Sequence, residues 1–302
     1  EESTEKFGKK SKLLVSPLNE LAKIELAMGN YPEAEEHAKH AQELAETIFT
    51  TNSIKYAEST ALLSKTYFGI GDYQKSNANA EKVIEVLTQI LSSQHTKVAQ
   101  ALTEYALIKF KQDPKNTFSE VEFLLKDAQK VILANFDKTH PLYAENLTHL
   151  ALLYISKAKT DRDLNQPFVD LNMADKIWMD KFGERNLHSA NISALMGDVY
   201  SKVKMFKEAK RKYEKAELCY AKLFSETHPD YVHTLSRLGR MYYVNGEYKK
   251  ADQKVEQAMS TYLNYIQKYF PALSEKEKSK YWKKIRSDFE FYNSLAVKRW
   301  EE

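Results

Sequence analysis

The sequence predicts an all-α protein, a right-handed superhelical solenoid of about six helical hairpins with a C-terminal capping helix. Only 8 glycines and 7 prolines occur among 302 residues, which leaves few tight turns for a β-rich fold. A small residue recurs about every 42 positions, and apolar residues between these positions follow the three- and four-residue steps of amphipathic helices. The chain then ends in an apolar helical stripe that is out of phase with the repeat.

The repeat is defined by a column of small residues, one in each predicted hairpin. Its members are separated by 42, 42, 45, 46 and 42 residues: Ala22, Ser64, Ala106, Ala151, Gly197 and Gly239. A Gly-x-Tyr turn joins the two helices in three copies, for example Gly71-Asp72-Tyr73. Glycine there permits the left-handed backbone that ends a helix. One hairpin cannot bury its own apolar side, so neighbouring hairpins are expected to stack.

The array is predicted to span residues 11–270. Ahead of it, Phe7-Gly8 has the same phase relative to the small column as Phe182-Gly183 has two-thirds of the way along the chain. Residues 1–10 are therefore predicted to be the tail of a truncated preceding repeat. The chain also begins with Glu1 rather than methionine, which fits a fragment of a longer protein.

Residues 271–302 are predicted to form a capping helix that also links to a missing domain. Pro271 ends the last repeat helix, since proline cannot continue a helix. Ser274 and Glu277 have the spacing of a capping box, in which each side chain bonds the other residue's N–H. An apolar stripe follows at helical spacing and is expected to cover the last hairpin: Tyr281, Trp282, Ile285, Phe289, Tyr292 and Leu295.

These repeats resemble the tetratricopeptide repeat in its longer form, as in kinesin light chains. The resemblance rests on the small-residue columns and on segments such as Leu238-Gly239-Arg240-Met241-Tyr242, followed by Gly246-Glu247-Tyr248. It covers about residues 11–270. The resemblance implies a stack of helical hairpins that binds a protein or a peptide.

The segment after the repeats carries a second resemblance. Tyr269-Phe270-Pro271-Ala272-Leu273-Ser274-Glu275-Lys276-Glu277-Lys278, followed by Tyr281-Trp282, is similar to the region that follows the repeats in bacterial CHAT-domain proteins. In that family the repeats precede a caspase-like peptidase domain, and no residue here matches its His/Cys pair. The resemblance implies that this chain is the regulatory or sensing repeat region of a CHAT-type peptidase.

The groove lined by the first helix of each repeat is the predicted binding surface. In the tetratricopeptide family its residues lie three before, and one and four after, the small residue of each copy. The resemblance thus selects a mixed set of charged, polar and aromatic residues as partner-binding: Lys23, Lys65, Phe68, Phe110, Thr148, Asp198, Arg240 and Tyr243. The alternative for the aromatic members is packing against the neighbouring repeat.

No set of side chains in the sequence predicts catalysis. A Gly-rich phosphate loop, metal-ligand spacing and paired carboxylates are all missing, so no catalytic residue, metal or cofactor is predicted. The single cysteine, Cys219, occupies a mostly apolar column and is predicted to be a packing residue. His95, His140 and His228 occupy a column where other repeats carry Ser or Asn, so they are predicted to cap helices.

The charge is nearly balanced, with 45 basic and 42 acidic residues, which gives no overall footprint for nucleic acid or a membrane. No segment approaches the roughly 20 apolar residues of a membrane helix. The chain is therefore predicted to be a non-enzymatic scaffold with a protein or peptide partner in its groove. Self-association is the alternative, and an independent enzyme is less favoured. The compartment stays open, with the cytoplasm slightly favoured.

Overall fold

The computed structural model of the protein describes residues 11–223 and 228–301, and no β-strand occurs among them. The described residues contain thirteen α-helices, of which the first twelve pair as six hairpins: α1 Val15–Met28, α2 Tyr31–Phe49, α3 Ile54–Ile70, α4 Tyr73–Leu91, α5 Thr96–Gln112, α6 Phe118–Asn135, α7 Pro141–Lys157, α8 Asn165–Phe182, α9 Leu187–Lys202, α10 Phe206–Leu223, α11 Pro229–Val244, α12 Tyr248–Tyr269 and α13 Glu275–Glu301. The all-α class, the six hairpins and the terminal helix are confirmed. The predicted tail of a preceding repeat, residues 1–10, lies outside the described residues.

The chain divides into two compact units. The first, Glu1–Lys138, contains the hairpins α1–α2, α3–α4 and α5–α6, and the second, Thr139–Glu302, contains the other three hairpins and α13. Within each unit, the two helices of a hairpin pack on each other, and each second helix packs on the first helix of the next hairpin. Burial between successive hairpins therefore builds the core of each unit.

Capping side chains fix where several helices begin. Nδ1 of His95, His140 and His228 accepts a hydrogen bond from the backbone N–H two residues further on, at 3.1, 3.2 and 3.2 Å. Each ring thereby satisfies one of the N–H groups that the start of a helix leaves without an intrahelical partner. The prediction that these histidines cap helices is confirmed.

Glycine ends the first helix in the first two hairpins. Gly29 and Gly71 have φ angles of 77° and 87°, in the left-handed region that side chains disfavour. Their N–H groups donate to the carbonyls of Leu26 and Phe68, at 3.1 and 3.0 Å. The left-handed residue turns the chain back at once, so the second helix lies directly against the first.

The small-residue column marks where the two helices of a hairpin come closest. A Cβ atom built on Gly197 of α9 would lie 2.6 Å from Cε1 of Tyr213 in α10. In the last hairpin, a Cβ atom on Gly239 would lie 2.4 Å from Cγ2 of Val255. The facing side chain thus occupies the space that a larger residue in the column would need.

The C-terminal helix α13 begins at the predicted capping box. The N–H of Ser274 donates to Oε2 of Glu277 at 3.0 Å, and the N–H of Glu277 donates to Oγ of Ser274 at 3.3 Å. These two bonds satisfy N–H groups that would otherwise be orphaned at the helix start.

One line of side chains on α13 is buried against the last hairpin. Tyr281, Ile285 and Leu295 are buried, and the ring of Tyr281 stacks on Tyr265 of α12 with 4.8 Å between centroids. Trp282 departs from the predicted stripe, because its side chain is 41% exposed. One residue further round the helix than Tyr281, it points away from the contact. The cap itself is present as predicted.

Candidate partner-binding site

An open cavity of about 250 Å³ lies between α3 and α5 in the first unit. Apolar side chains of three helices form its floor: Ala57, Ala61, Leu62, Val83, Leu87 and Ala101. Charged and polar side chains stand around it: Lys23, Glu58, Lys65, Lys97, Gln100 and Glu104. The arrangement joins an apolar recess to a charged border, which is the general character of a ligand site.

The cavity lies where two alanines replace a polar contact that is present between the first two hairpins. Between α1 and α3, Oγ of Ser59 donates to Oδ1 of Asn19 at 2.9 Å, and both residues are buried. The positions 42 residues later are Ala61 and Ala101, and both line the cavity. We call the contact between the first helices of successive hairpins a joint. Two methyl groups cannot span the gap that Asn19 and Ser59 fill in the first joint, so the joint between α3 and α5 stays open.

Two ion pairs stand at the border of the cavity. Nζ of Lys65 lies 2.8 Å from Oε1 of Glu104, and Nζ of Lys97 lies 3.5 Å from Oε1 of Glu58. All four side chains are partly exposed, and exposed pairs contribute only about 0–1 kcal/mol. Either charge can therefore exchange its present partner for a group on a bound chain at little cost.

The predicted residues of the first unit divide into two pairs. Lys23 and Lys65 line the cavity, where Lys23 reaches across from α1. Phe68 is half-buried, with its ring centroid 5.5 Å from that of Tyr73. Phe110 is only 6% exposed, so its predicted role as an exposed anchor is corrected. Its ring is taken up by packing, which was the alternative for the aromatic members.

Two predicted residues of the second unit bond within the chain. Oγ1 of Thr148 donates to the carbonyl of Ala144 in its own helix at 2.8 Å. Asp198 accepts a hydrogen bond from the hydroxyl of Tyr213 at 2.7 Å and lies 3.1 Å from the guanidinium of Arg237. The Asp198 carboxylate therefore links α9 to both α10 and α11.

The other two, Arg240 and Tyr243, are in contact with the C-terminal helix. The Arg240 guanidinium donates to the carbonyl of Ser287 at 2.6 Å and lies 4.3 Å from the ring centroid of Phe291. The ring of Tyr243 meets Phe291 edge-on at 6.1 Å. Both side chains therefore contact α13 while remaining partly exposed, and their place in a binding groove stays a prediction.

A buried carboxylate holds α13 on the last hairpin. Asp288, 2% exposed, accepts hydrogen bonds from Oγ of Ser236 at 2.7 Å and the hydroxyl of Tyr262 at 2.9 Å, and its Oδ2 lies 3.2 Å from Nδ1 of His233. Burial alone would raise the pKa of Asp288, but the contacts with His233, Ser236 and Tyr262 outweigh it and lower the pKa to about 2. Sequence reasoning missed this residue. The available signal was an acid in the apolar stripe, three residues after Ile285.

Cys219 shows no sign of activation. Its side chain is 6% exposed, and burial raises the pKa of its thiol, whereas a nucleophile needs a lowered one. Across residues 11–223 and 228–301, no group of three His, Cys, Asp or Glu side chains is placed to hold a metal ion. None of the helices described combines the length and the apolar character needed to cross a bilayer.

Comparison with known families finds a match. The model described as tetratricopeptide repeat matches residues 13–89 and 188–264, about half of the chain. These two segments cover the first two hairpins and the last two. No curated protein sequence matches the chain.

Two solved structures are similar in fold, and a third aligns less well. A Rap protein complexed with competence and sporulation factor aligns with a TM-score of 0.60 and 12% identity, over 94% of this chain and 77% of that one. BtubC (BKLC) from P. vanneervenii aligns with a TM-score of 0.54 and 16% identity, over 79% and 91%. A putative kinesin light chain from Podosopora anserina aligns at 0.43 with 17% identity, over 84% and 96%. Identities this low show similarity of fold alone.

Proposed function

Because the chain belongs to the tetratricopeptide-repeat family, we propose that it is a non-enzymatic scaffold that binds a protein or peptide partner at the cavity between α3 and α5. The observation that supports the proposal is the cavity itself. It is open, whereas the equivalent contact between the first two hairpins is filled by the buried Asn19–Ser59 pair. A Rap protein of similar fold is known in complex with competence and sporulation factor, which supports partner binding by a stack of helical hairpins.

The lining of the cavity indicates what a partner presents to it. An aliphatic side chain fits a floor of alanine, valine and leucine, and burying one contributes about 1.5–3 kcal/mol. The border of the cavity offers both signs of charge to the flanking residues of the partner. The positive side chains are Lys65 and Lys97, and the negative ones are Glu58 and Glu104. A few buried anchors dominate such interfaces, and the remaining contacts mainly exclude water.

Among the predicted partner-binding residues, Lys23 and Lys65 are the ones we place at this site, since both line the cavity. Phe68 lies one turn beyond Lys65 on α3 and offers an apolar neighbour. The other partly exposed members of the set stay predictions that rest on the repeat register: Thr148, Asp198, Arg240 and Tyr243.

The double variant Ala61→Asn with Ala101→Ser tests the site. It transplants the Asn19–Ser59 pair into the open joint and fills the cavity with side chains that the first joint already accommodates. Twelve-residue peptides are selected on the wild-type chain from a displayed random library, and their affinities are measured by fluorescence anisotropy. We expect the variant to bind the selected peptides at least about tenfold more weakly, which corresponds to the loss of one buried aliphatic anchor.

Gln89→Leu, which adds an apolar side chain to an exposed position of α4, is the matched control and is expected to leave binding unchanged. Circular dichroism of both variants checks that helical content is retained. Equal affinity of the wild type and the double variant for the selected peptides would contradict the proposed site. Failure of the wild type to select any peptide above background would contradict peptide binding itself.

We also propose that the repeats are the regulatory region of a CHAT-type peptidase. The support is the sequence Tyr269–Lys278 with Tyr281-Trp282, which forms the end of α12, a short turn and the start of α13. We expect the coding sequence that follows residue 302 to encode a caspase-like domain with a histidine and a cysteine in catalytic context. Sequencing the gene checks this, and a different domain or a stop codon at that point would overturn it.

A further inference from the structure

One turn of the second unit carries a lysine where the other short turns carry glycine. Gly29, Gly71 and Gly246 have φ angles of 77°, 87° and 77°, in the left-handed region. The equivalent residue between α9 and α10 is Lys204, which has a φ of 60° and donates its N–H to the carbonyl of Ser201 at 3.1 Å. A side chain is disfavoured in this conformation, so the geometry of the turn does not account for the lysine.

Positive charge continues into α10, the second helix of this fifth hairpin. Lys207 and Arg211 lie one turn apart and are exposed, and in the first hairpin Glu36 takes the place of Arg211. Residues 203–211 contain four basic residues and one acid, whereas the equivalent residues 28–36 contain three acids and no basic residue. The positive charge is therefore particular to this hairpin and is not a property of the repeat.

The sixth hairpin brings further cations to the same edge of the unit. Stacked hairpins place their turns side by side, and here Nζ of Lys210 in α10 and Nζ of Lys250 in α12 each lie 2.8 Å from the carboxylate of Glu247. This shared acid draws the starts of the two helices together. Lys249 is exposed and occupies the position in α12 that Lys207 has in α10, so its charge adds to that of the fifth hairpin.

Much of the positive charge at this edge is not compensated. Within the part of the chain that the structure describes, four of the cations make no ion pair: Lys204, Lys207, Arg211 and Lys249. Burial, and after it the nearby cations Lys215 and Arg211, lower the pKa of the neighbouring Lys212. Two apolar side chains stand among the four cations, Met205 at 46% exposed and Tyr248 at 54%. We call the four cations and these two residues the basic edge.

We propose that the basic edge binds an acidic segment of a partner protein, at a surface separate from the cavity of the first unit. Exposed cations without an ion-pair partner attract carboxylates, and such complementary charges speed association and select the partner. The planar guanidinium of Arg211 can hold a carboxylate through two parallel hydrogen bonds. Met205 and Tyr248 offer apolar contacts to the side chains that stand between the acids of the segment.

A nucleic acid fits this surface less well than a protein segment does. Glu208 and Glu247 stand among the cations, and a continuous phosphate backbone would meet both of them. Interfaces with nucleic acid are also more polar and more strongly positive than a surface that includes Met205 and Tyr248. Separate carboxylates on a protein segment, in contrast, can face the cations while neutral residues face the two glutamates.

Selection on a chain whose cavity is filled tests the proposal. Ala61→Asn with Ala101→Ser removes the cavity, so twelve-residue peptides selected on this variant from a displayed random library report on other surfaces. We expect the selected peptides to be rich in aspartate and glutamate. Their affinity, measured by fluorescence anisotropy, is expected to fall as the salt concentration is raised from about 50 to 500 mM, because salt screens exposed charges.

In the same background, a triple variant removes three cations of the basic edge: Lys204→Gly, Lys207→Gln and Arg211→Gln. It is expected to weaken binding of the selected peptides at least about tenfold, because three charge contacts are lost together. Glycine in place of Lys204 suits the turn, so the thermal unfolding midpoint is not expected to fall. The matched control removes three exposed lysines elsewhere in the second unit: Lys176→Gln, Lys181→Gln and Lys283→Gln. It lowers the net charge equally and is expected to leave the affinity within about twofold.

Three results would overturn the proposal. Selected peptides without acidic enrichment would show that the edge does not recognise acids. Acidic peptides that the edge variant still binds, or that both triple variants weaken equally, would show that another surface or the net charge alone attracts them. A labelled single-stranded oligothymidine that binds more tightly than the selected peptides, and is lost in the edge variant, would assign the edge to nucleic acid instead.

Discussion

Replacing Asp288 by alanine is expected to lower the free energy of unfolding of the second unit by about 2–5 kcal/mol, because each buried hydroxyl that loses its acceptor costs about 1–3 kcal/mol. The variant leaves the hydroxyls of Ser236 and Tyr262 without their acceptor and deprives Arg240 of a nearby negative charge. Guanidinium unfolding followed by circular dichroism measures the loss. Hydrogen exchange of the α13 amides shows whether that helix opens first.

Glu290→Ala is the matched control, because Glu290 lies on the same helix but is exposed and pairs with Arg286 one turn earlier. Its effect is expected to stay within about 0.5 kcal/mol. If both alanine variants change stability equally, Asp288 does not hold the helix in place.

The same carboxylate gives stability a dependence on pH. Its pKa is lowered from the ordinary 3.8 to about 2 in the folded chain, so folding is favoured by the ionised form. The contribution, about 2 kcal/mol, is complete above the unfolded pKa and is lost as the pH falls from about 4 towards 2. Asp288→Asn should remove this part of the acid dependence, which a pH series of unfolding midpoints would show.

Gly197→Ala is the second large effect, with an expected loss of about 1–3 kcal/mol. The new Cβ would overlap the buried ring of Tyr213, whose hydroxyl is held by Asp198. Alanine alone would favour the helix by about 1 kcal/mol over glycine, so the sign of the result separates overlap from helix propensity.

A double-mutant cycle isolates the overlap. In a Tyr213→Leu background the ring is gone, and Gly197→Ala should become neutral or stabilising. Unfolding midpoints of the four proteins complete the cycle. A destabilisation of the same size in both backgrounds would show that the ring is not what keeps this position small.

The hairpins could be predicted from the sequence because their signals are local and recur. The column from Ala22 to Gly239 and the capping histidines depend on residues within one hairpin, and the structure agrees with both. The positions of the helices within each hairpin follow from the same periodicity.

The binding surface could be predicted only in part, because exposure depends on contacts between distant segments. Phe68 and Phe110 occupy the same position of their repeats, four residues after the small residue, yet Phe68 is half-buried and Phe110 is only 6% exposed. Arg240 faces α13 because Asp288, 48 residues later, packs beside it. The cavity itself was visible in principle, since aligning Asn19 and Ser59 with Ala61 and Ala101 shows where volume is missing.

The capping histidines fix the tautomer of three rings at the hairpin entries. Nδ1 of His95, His140 and His228 can accept from the backbone only while that nitrogen carries no hydrogen. In a neutral ring the hydrogen then resides on Nε2, so the outer nitrogen of each ring is a donor. Serine caps the same column at Ser11 and Ser53 and has no second polar atom to present. Three hairpin entries therefore offer a ring N–H to their surroundings, and the first two do not.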